Sequence, residues 1–446
     1  MKKIYLFFVY LFFISHFSIA QEVHYFNKAI TDPNSFNFSL TSFEVDDGFV
    51  VLNYEDLLFG GINLNLLKLD ELGNQEWQKK LGEVAFLPPV NTMIQDKQNP
   101  NHFLATYMEK TDTSENSVIS LLKFTKEGNI LWKKGYASTS VKIFSSRLIQ
   151  TSNDGYLIAG RDGYVNTGAM LAIKVDNRGN QEWFHTYPMH NVSQAYFVSQ
   201  TLDGGYILSG RASTSTNADI YLVKIHEDGA IQWQKTIDIY DGDSSPQAVQ
   251  LSNGNYLVFA VTNHGLEAIN YTAILDAEGA ILQENSQIIP CLHTIQTPLL
   301  PLGNDEFLGG AMLCNPEIHN FFTPYLMHFN SEGDTLWTKQ FTPSNIIADN
   351  VYPRDLKKTS DGGYLMTGHA DFRIGENAIP YGWIVKMDSL GNTCWELGCD
   401  STVIISNIEE IKVVEGLQLS PNPAKIFSNS NSFNSCFSSS IPTHQH

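Results

Sequence analysis

The chain has 446 residues, 43% hydrophobic and 17% charged, and its 28 basic and 47 acidic residues give a formal charge of −19. A field of that sign repels nucleic acid and anionic membranes, and no basic patch interrupts it along the sequence. No stretch beyond the first twenty residues approaches the length that spans a bilayer.

Met1-Lys2-Lys3 opens with positive charge, Ile4 to Phe17 is apolar, and Ser18-Ile19-Ala20 supplies small residues at the −3 and −1 positions. This is the pattern of a secretory signal peptide over residues 1–20, cleaved after Ala20. No cysteine follows the cleavage point, so lipid attachment is not expected. Glu22 to Lys28 reads as a single strand of the kind that carries tryptophan further on, with Tyr25 in the tryptophan slot.

From there to about residue 400 the chain repeats itself. A glycine followed four residues later by tryptophan recurs at Gly73/Trp77, Gly128/Trp132, Gly179/Trp183, Gly229/Trp233, Gly333/Trp337 and Gly391/Trp395, and a seventh copy pairs Gly279 with Gln283. An aromatic-led strand opens 23 to 27 residues before each glycine, at Phe49, Phe103, Tyr156, Tyr206, Tyr256, Phe307 and Tyr364. Two markers in phase over seven copies of about fifty residues indicate stacked supersecondary units.

The copy from Val198 to Trp233 shows what the unit is. Asp203-Gly204-Gly205 joins two β-prone runs, and His226-Glu227-Asp228-Gly229 joins Ile220–Ile225 to the strand of Trp233. Glycine reaches the positive φ that tight hairpins need. Four short antiparallel strands per unit and no helical periodicity give an all-β chain, and seven such units fit a seven-bladed β-propeller over residues 21–400. The strand of Glu22–Lys28 is expected to complete the last blade beside the strand of Trp395. Trp77, Trp132, Trp183, Trp233, Trp337 and Trp395 are expected to fill the wedges between blades. Lys68, Lys123, Lys174, Lys224 and Lys386, each five residues before the glycine, read as a solvated outer face that guards the edge strands.

Cys291 and Cys314 flank a hairpin centred near Gly303, and Cys394 and Cys399 bracket Leu397-Gly398; these are the disulfide candidates in an exported chain, with Cys436 left over. Residues 401–416 read as a linker, and residues 417–446 as a disordered tail opening on Leu417-Gln418-Leu419-Ser420-Pro421-Asn422-Pro423-Ala424.

The Ser-Pro-Asn-Pro-Ala segment resembles the opening of the type A C-terminal sorting domain carried by cargo of the type IX secretion system in Bacteroidota. The DGGY…K-x-D-x-x-G-N-x-x-W repeats resemble propeller-like repeats of secreted proteins of that phylum. Ile426 to His446 lacks the strands such sorting domains end on, so the domain is truncated. The resemblance implies a secreted or cell-surface protein that meets the type IX machinery, or a periplasmic one where the tail fails. The turn Asp70-x-x-Gly73-x-x-x-Trp77, repeated at Asp176, Asp276 and Asp388, resembles the tryptophan-docking motif of quinoprotein propellers and is similar to the Asp-box of sialidase propellers. In both families the motif braces a blade and performs no chemistry.

Three residues stand out as a ligand-binding set. Arg161, Arg211 and His369 each fall five residues after the blade aromatic, where the second strand gives way to a loop, and in a ring these positions converge on one face. Asp238, Asp241 and Asp243 form an acidic loop, the one place weighed for calcium, although its spacing is not that of a calcium hand. No other cofactor or metal is expected, and no catalytic motif is present. The aromatic loops Tyr54–Phe59, Phe321–Tyr325 and Phe372–Trp383 are further contact candidates. The sequence thus points to a non-catalytic binding or adhesion module for a glycan or protein, with a propeller glycan hydrolase or lyase and a cell-surface scaffold as alternatives.

Overall fold

The computed structural model describes residues 24–393, apart from residues 33–34, 59, 86–92, 111–116, 138–141, 165, 215–216, 240–245, 265–266, 291, 296, 315–321, 341–349 and 375–376, together with residues 403–405. All of the regular structure described is strand. After β1 (Phe26–Thr31), blade 1 is β2 (Ser35–Val45), β3 (Gly48–Leu57), β4 (Ile62–Leu69) and β5 (Gln75–Val84). Blade 2 is β6 (Met93–Asp96), β7 (Asn99–Lys110), β8 (Ser117–Thr125) and β9 (Ile130–Tyr136). Blade 3 is β10 (Ile143–Gln150), β11 (Tyr156–Asp162), β12 (Ala169–Val175) and β13 (Gln181–Tyr187). Blade 4 is β14 (Val192–Gln200), β15 (Tyr206–Ser213), β16 (Ala218–Ile225) and β17 (Ile231–Ile237). Blade 5 is β18 (Gln247–Gln250), β19 (Tyr256–His264), β20 (Glu267–Leu275) and β21 (Ile281–Pro290).

In blade 6 two short pieces, β22 (Leu292–Ile295) and β23 (Leu300–Gly303), share the inner place beside β24 (Glu306–Cys314), followed by β25 (Phe322–Phe329) and β26 (Thr335–Gln340). Blade 7 is β27 (Asn350–Lys358), β28 (Tyr364–Ile374), β29 (Asn377–Met387) and, as its fourth strand, β1. A last strand, β30 (Val403–Ile405), runs parallel along the outer edge of β1. Seven four-stranded antiparallel blades make a seven-bladed β-propeller, the number that the repeats require.

The core lies between the blades. Seven buried apolar clusters each fill one seam, from the Leu52–Tyr107 cluster between blades 1 and 2 round to the Phe26–Phe49–Ile384 cluster between blades 7 and 1. This explains why the middle strands are apolar throughout. Along β12, Met170 and Ala172 face blade 4, while Leu171, Ile173 and Val175 face blade 2, so the period-two alternation serves two interfaces at once.

Each seam is locked where the turn between the third and fourth strands of one blade meets the fourth strand of the blade before it. A β-carbon on Gly179 would lie 2.8 Å from the Trp132 ring, and one on Gly279 would lie 2.9 Å from Trp233. Both glycines hold positive φ, +78° and +82°. The Trp183 and Trp233 indoles donate to the carbonyls of Glu227 and Ala277 in the next turn, at 3.0 and 2.9 Å. Tyr136 and Tyr187 hydroxyls donate to the carbonyls of Gly179 and Gly229, at 2.7 and 2.9 Å. In four of the turns an Asp carboxylate (Asp70, Asp176, Asp276, Asp388) accepts from backbone amides, as Asp176 does from Arg178 and Asn180. Blade 5 has Gln283 where others have tryptophan, and there Thr272 meets Gly333 instead.

Two expectations are corrected. The tryptophan slot of β1 belongs to Phe26, one residue later than Tyr25. Phe26 pairs with Lys386 as Trp183 pairs with Lys174, its ring meets Gly73, and Lys28 reaches Asn74 as Lys79 reaches Asn129. A one-residue shift exchanges the faces of a strand, so Phe26 fills the seam while Tyr25 lies beside it. Both edges of β29 are taken, by β28 and β1, and β29 therefore has no edge left for the strand of Trp395, which lies outside the described residues.

The second correction concerns the lysines. Lys68, Lys174, Lys224 and Lys386 are buried and Lys123 nearly so. Each ammonium pairs with a carboxylate of its own blade, Lys224 with Asp203 at 2.8 Å and Lys386 with Asp361 at 2.8 Å. Lys68, Lys174 and Lys224 also donate to the carbonyl of the following residue. They brace the two hairpins of a blade against each other from within.

Phe26→Ala is expected to cost about 3 kcal/mol or more, since it empties a packed seam, and Tyr25→Ala clearly less. Urea unfolding of both variants decides between the two registers, and a larger loss for Tyr25→Ala would reverse the assignment.

Candidate functional site

The two faces of the ring differ. On the lower face the first-to-second-strand turns are tight and tied from blade to blade by side-chain acceptors. Lys97, Ser152 and Leu202 amides donate to Gln150, Gln200 and Gln250, at 2.7, 2.8 and 2.7 Å, and the Ser252 amide donates to Asp305 at 3.0 Å. The upper face carries the blade-to-blade connections and those between second and third strands. The central channel is walled by the innermost strands.

Those inner strands bulge. The register slips between Ser39 and Thr41, Ser145 and Arg147, Ala195 and Phe197, and Pro353 and Asp355. Opposite three of the bulges stands a glycine, because nothing larger fits: β-carbons on Gly160, Gly210 and Gly368 would fall 1.8, 1.8 and 2.0 Å from the carbonyl oxygens of Phe144, Gln194 and Tyr352. A bulge re-aims side chains; the extra residues include Tyr196 and Arg354, while Arg147 and Asp355 are the next paired residues on their strands.

The residue after each of these glycines is Arg161, Arg211 or His369. Arg161 and Arg211, on adjacent blades, come together around Tyr196. Arg161 Nη1 donates to Gln194 Oε1 at 2.7 Å, and its guanidinium lies 4.5 Å over the Phe144 ring. Burial holds Arg161 below its usual range, with Tyr196 acting the other way and Arg211 adding to the depression. Burial likewise pushes the Tyr196 hydroxyl up, against the pull of both guanidiniums, so it stays protonated and able to donate at neutral pH.

His369 does not join them. It lies on blade 7, 6% exposed, stacked on Tyr352 at 4.6 Å and edge-on to Phe38 at 5.0 Å. Burial, with Arg354 adding to it, holds the imidazole well below its ordinary range, and its Nδ1 meets no acceptor or donor among the described residues.

The structure adds groups that sequence reasoning missed. Of six arginines in the chain, Arg147 and Arg354 lie on the innermost strands of blades 3 and 7, and Arg161 and Arg211 on the second strands of blades 3 and 4. Arg354 lies beside His369, and Lys357 beside Asp355 at 2.7 Å. Burial pushes Arg147 and Arg354 each down to about 10, with Asp355 opposing it for the first and Tyr352 and Asp371 for the second. A basic patch does exist, hidden inside a chain of charge −19. The signal that could have found it is the glycine before Arg161, Arg211 and His369, which marks a bulge on the strand opposite.

Other candidates fare differently. Asp238 is exposed, while Asp241, Asp243, Cys291, Cys394, Cys399, Cys436, Phe59 and Phe321 lie outside the described residues. So does the side chain of Cys314, whose backbone pairs with Phe322. No group of three metal-ligating side chains occurs among the described residues. Tyr54 and Trp383 are fully buried, and Trp383 donates to Asn27 at 2.7 Å, so these two are core residues and not contact surfaces. A cavity of about 540 Å³ on the lower rim is lined by Glu44, Asp46, Glu71 and His24. Two of its carboxylates are engaged, Glu44 with the Ser360 amide and Asp46 with Lys126. No helix among the described residues is long and apolar enough to cross a membrane.

Two outcomes are expected. Gly204→Ala places a left-handed alanine in open space and costs about 1–2 kcal/mol, whereas Gly210→Ala, which must displace the Gln194 carbonyl, costs more; equal losses in urea would remove the bulge argument. The unfolded chain takes a proton on His369 near pH 6.5 and the folded protein resists it. This contribution is therefore whole above that pH and lost on acidification. His369→Phe should flatten the acid limb of a Tm-against-pH curve relative to the parent, and a parallel pair of curves would contradict the assignment.

No protein-family model matches the sequence, and no curated protein matches it. Among solved structures, the chain is similar to a polysaccharide lyase, Uly1, at 8% identity over 78% of this chain and 90% of that one, with a TM-score of 0.47. It is similar to the β-propeller domain of the Trilobed protease from Pyrococcus furiosus at 10% identity over 82% and 95%, TM-score 0.40. A puromycin hydrolase matches at 11% identity over 77% of this chain and 51% of that one, TM-score 0.40.

Proposed function

We propose that this propeller is an exported, non-catalytic binding module whose upper channel mouth takes an acidic glycan. The observation that carries the reading is the gathering of four of six arginines at one channel in a strongly acidic chain. Guanidinium forks match carboxylates, and the neighbouring Tyr196, Phe144 and Tyr352 rings suit the flat apolar face of a sugar. The signal peptide of residues 1–20 delivers the chain across the inner membrane, and the Ser-Pro-Asn-Pro-Ala segment addresses the type IX machinery.

Burial keeps the Tyr196 hydroxyl protonated, so at this mouth it serves as a donor to an acidic ligand.

The test is a glycan-array screen of the full chain, run with calcium and again with chelator, repeated with Arg211→Ala. Acidic glycans should bind in preference to neutral ones, chelator should change nothing, and Arg211→Ala should weaken binding by about tenfold or more, the loss of one charged hydrogen bond. Unchanged binding by Arg211→Ala would sink the site. Turnover of an acidic polysaccharide by the purified chain would replace the binding reading with a lyase or hydrolase.

A further inference from the structure

The mouth does not exhaust the basic groups. Arg161 pairs with Phe144 and, two residues along β11, Ala159 pairs with Arg147, which sets Arg147 about 7 Å deeper at the rise of an extended strand. Arg147 makes no hydrogen bond or ion pair among the described residues. Its Nε and Nη1 are sealed from solvent with no acceptor, and its guanidinium lies 5.7 Å over the Phe197 ring. The side chain is still partly accessible on the innermost strand of blade 3, within the field of Asp355 and Lys357 on blade 7.

Charge at this depth is out of balance. Asp355, across the channel on blade 7, is already bonded by Lys357 Nζ and Thr41 Oγ1, and it acts on Arg147 only through space. A buried cation without an acceptor is costly. An anionic group seated against it supplies both the charge and the acceptor that the protein withholds.

We infer that Arg147 is the floor of a second anion subsite, one tier below Arg161 and Arg211, and that the ligand carries two acidic groups along its length and enters the channel end-on. The inference rests on the reading of the mouth as an acidic-glycan site. The end of a uronic-acid chain fits it, because each sugar brings one carboxylate and a flat face, one set for each tier.

Calorimetric titration of the full chain with galacturonic acid and with digalacturonic acid tests this. The disaccharide should bind about tenfold tighter or more, Arg147→Gln should bring the ratio close to one while keeping the monosaccharide affinity, and Arg147→Lys, which keeps the charge and loses the fork, should retain part of it. A ratio near one for the parent chain, or a ratio untouched by Arg147→Gln, overturns the second tier. If neither sugar binds the parent, the mouth reading fails for uronates, and sodium formate then decides the floor separately. A saturable rise in Tm shared by the parent and Arg178→Gln, reduced in Arg147→Lys and absent from Arg147→Gln, upholds the subsite; no rise in the parent, or an undiminished rise in Arg147→Gln, overturns it.

Discussion

A ring of flat sheets leaves a wedge at every seam, and closing seven wedges at once is the constraint on which the molecule depends. The answer is a large ring on one blade pressed onto a bare backbone on the next. Trp132 on Gly179 and Trp233 on Gly279 show the form, and Phe26 on Gly73 extends it to the seam where the circle closes. The glycine is needed twice over, for its positive φ and for the missing β-carbon. Tyr136 and Tyr187 then tie the same turns by their carbonyls. With the seams fixed, the inner strands have no freedom to drift, and a bulge in one of them becomes a permanent aim for a side chain.

What was legible in the sequence follows from this. The glycine and tryptophan markers could be read because each copy solves the same packing problem with the same residues. The closing strand was misread by one residue because Tyr25 and Phe26 are both aromatic, although Lys28, two residues after Phe26 as Lys79 is after Trp77, held the phase. The lysines were misread because a charge every fifty residues on a strand looks like a solvated face, and a single chain does not display the carboxylate that meets it across a hairpin. Arg161 and Arg211 were found from their offset, whereas Arg147 and Arg354 were not, since their place depends on a slip in strand pairing that only Gly160 and Gly368 betray.

The charge distribution has its own logic. The acidic groups dominate the total, while lysines brace the blades from inside and arginines line the channel. An anion approaching from a distance meets repulsion, and only within a Debye length, about 8 Å at physiological ionic strength, does the channel dominate. Moderate salt therefore eases the approach more than it weakens contacts at a buried site, the reverse of the behaviour of a protein steered to its ligand by net charge.

The clasp formed by β1 bears on how the molecule comes into being. Asn27 and Trp383 are 356 residues apart in the chain, so the strand made first waits until nearly everything else has been made. Loop-closure entropy grows only logarithmically with length, which makes the delay one of order in time more than of energy. Until the clasp shuts, blade 7 has an open edge at β29 and Gly73 has no ring upon it, and the nascent propeller is a split arc with two sticky ends. Synthesis from the amino end imposes this order, since the early strand arrives ahead of its partner and stays single until the circle is complete.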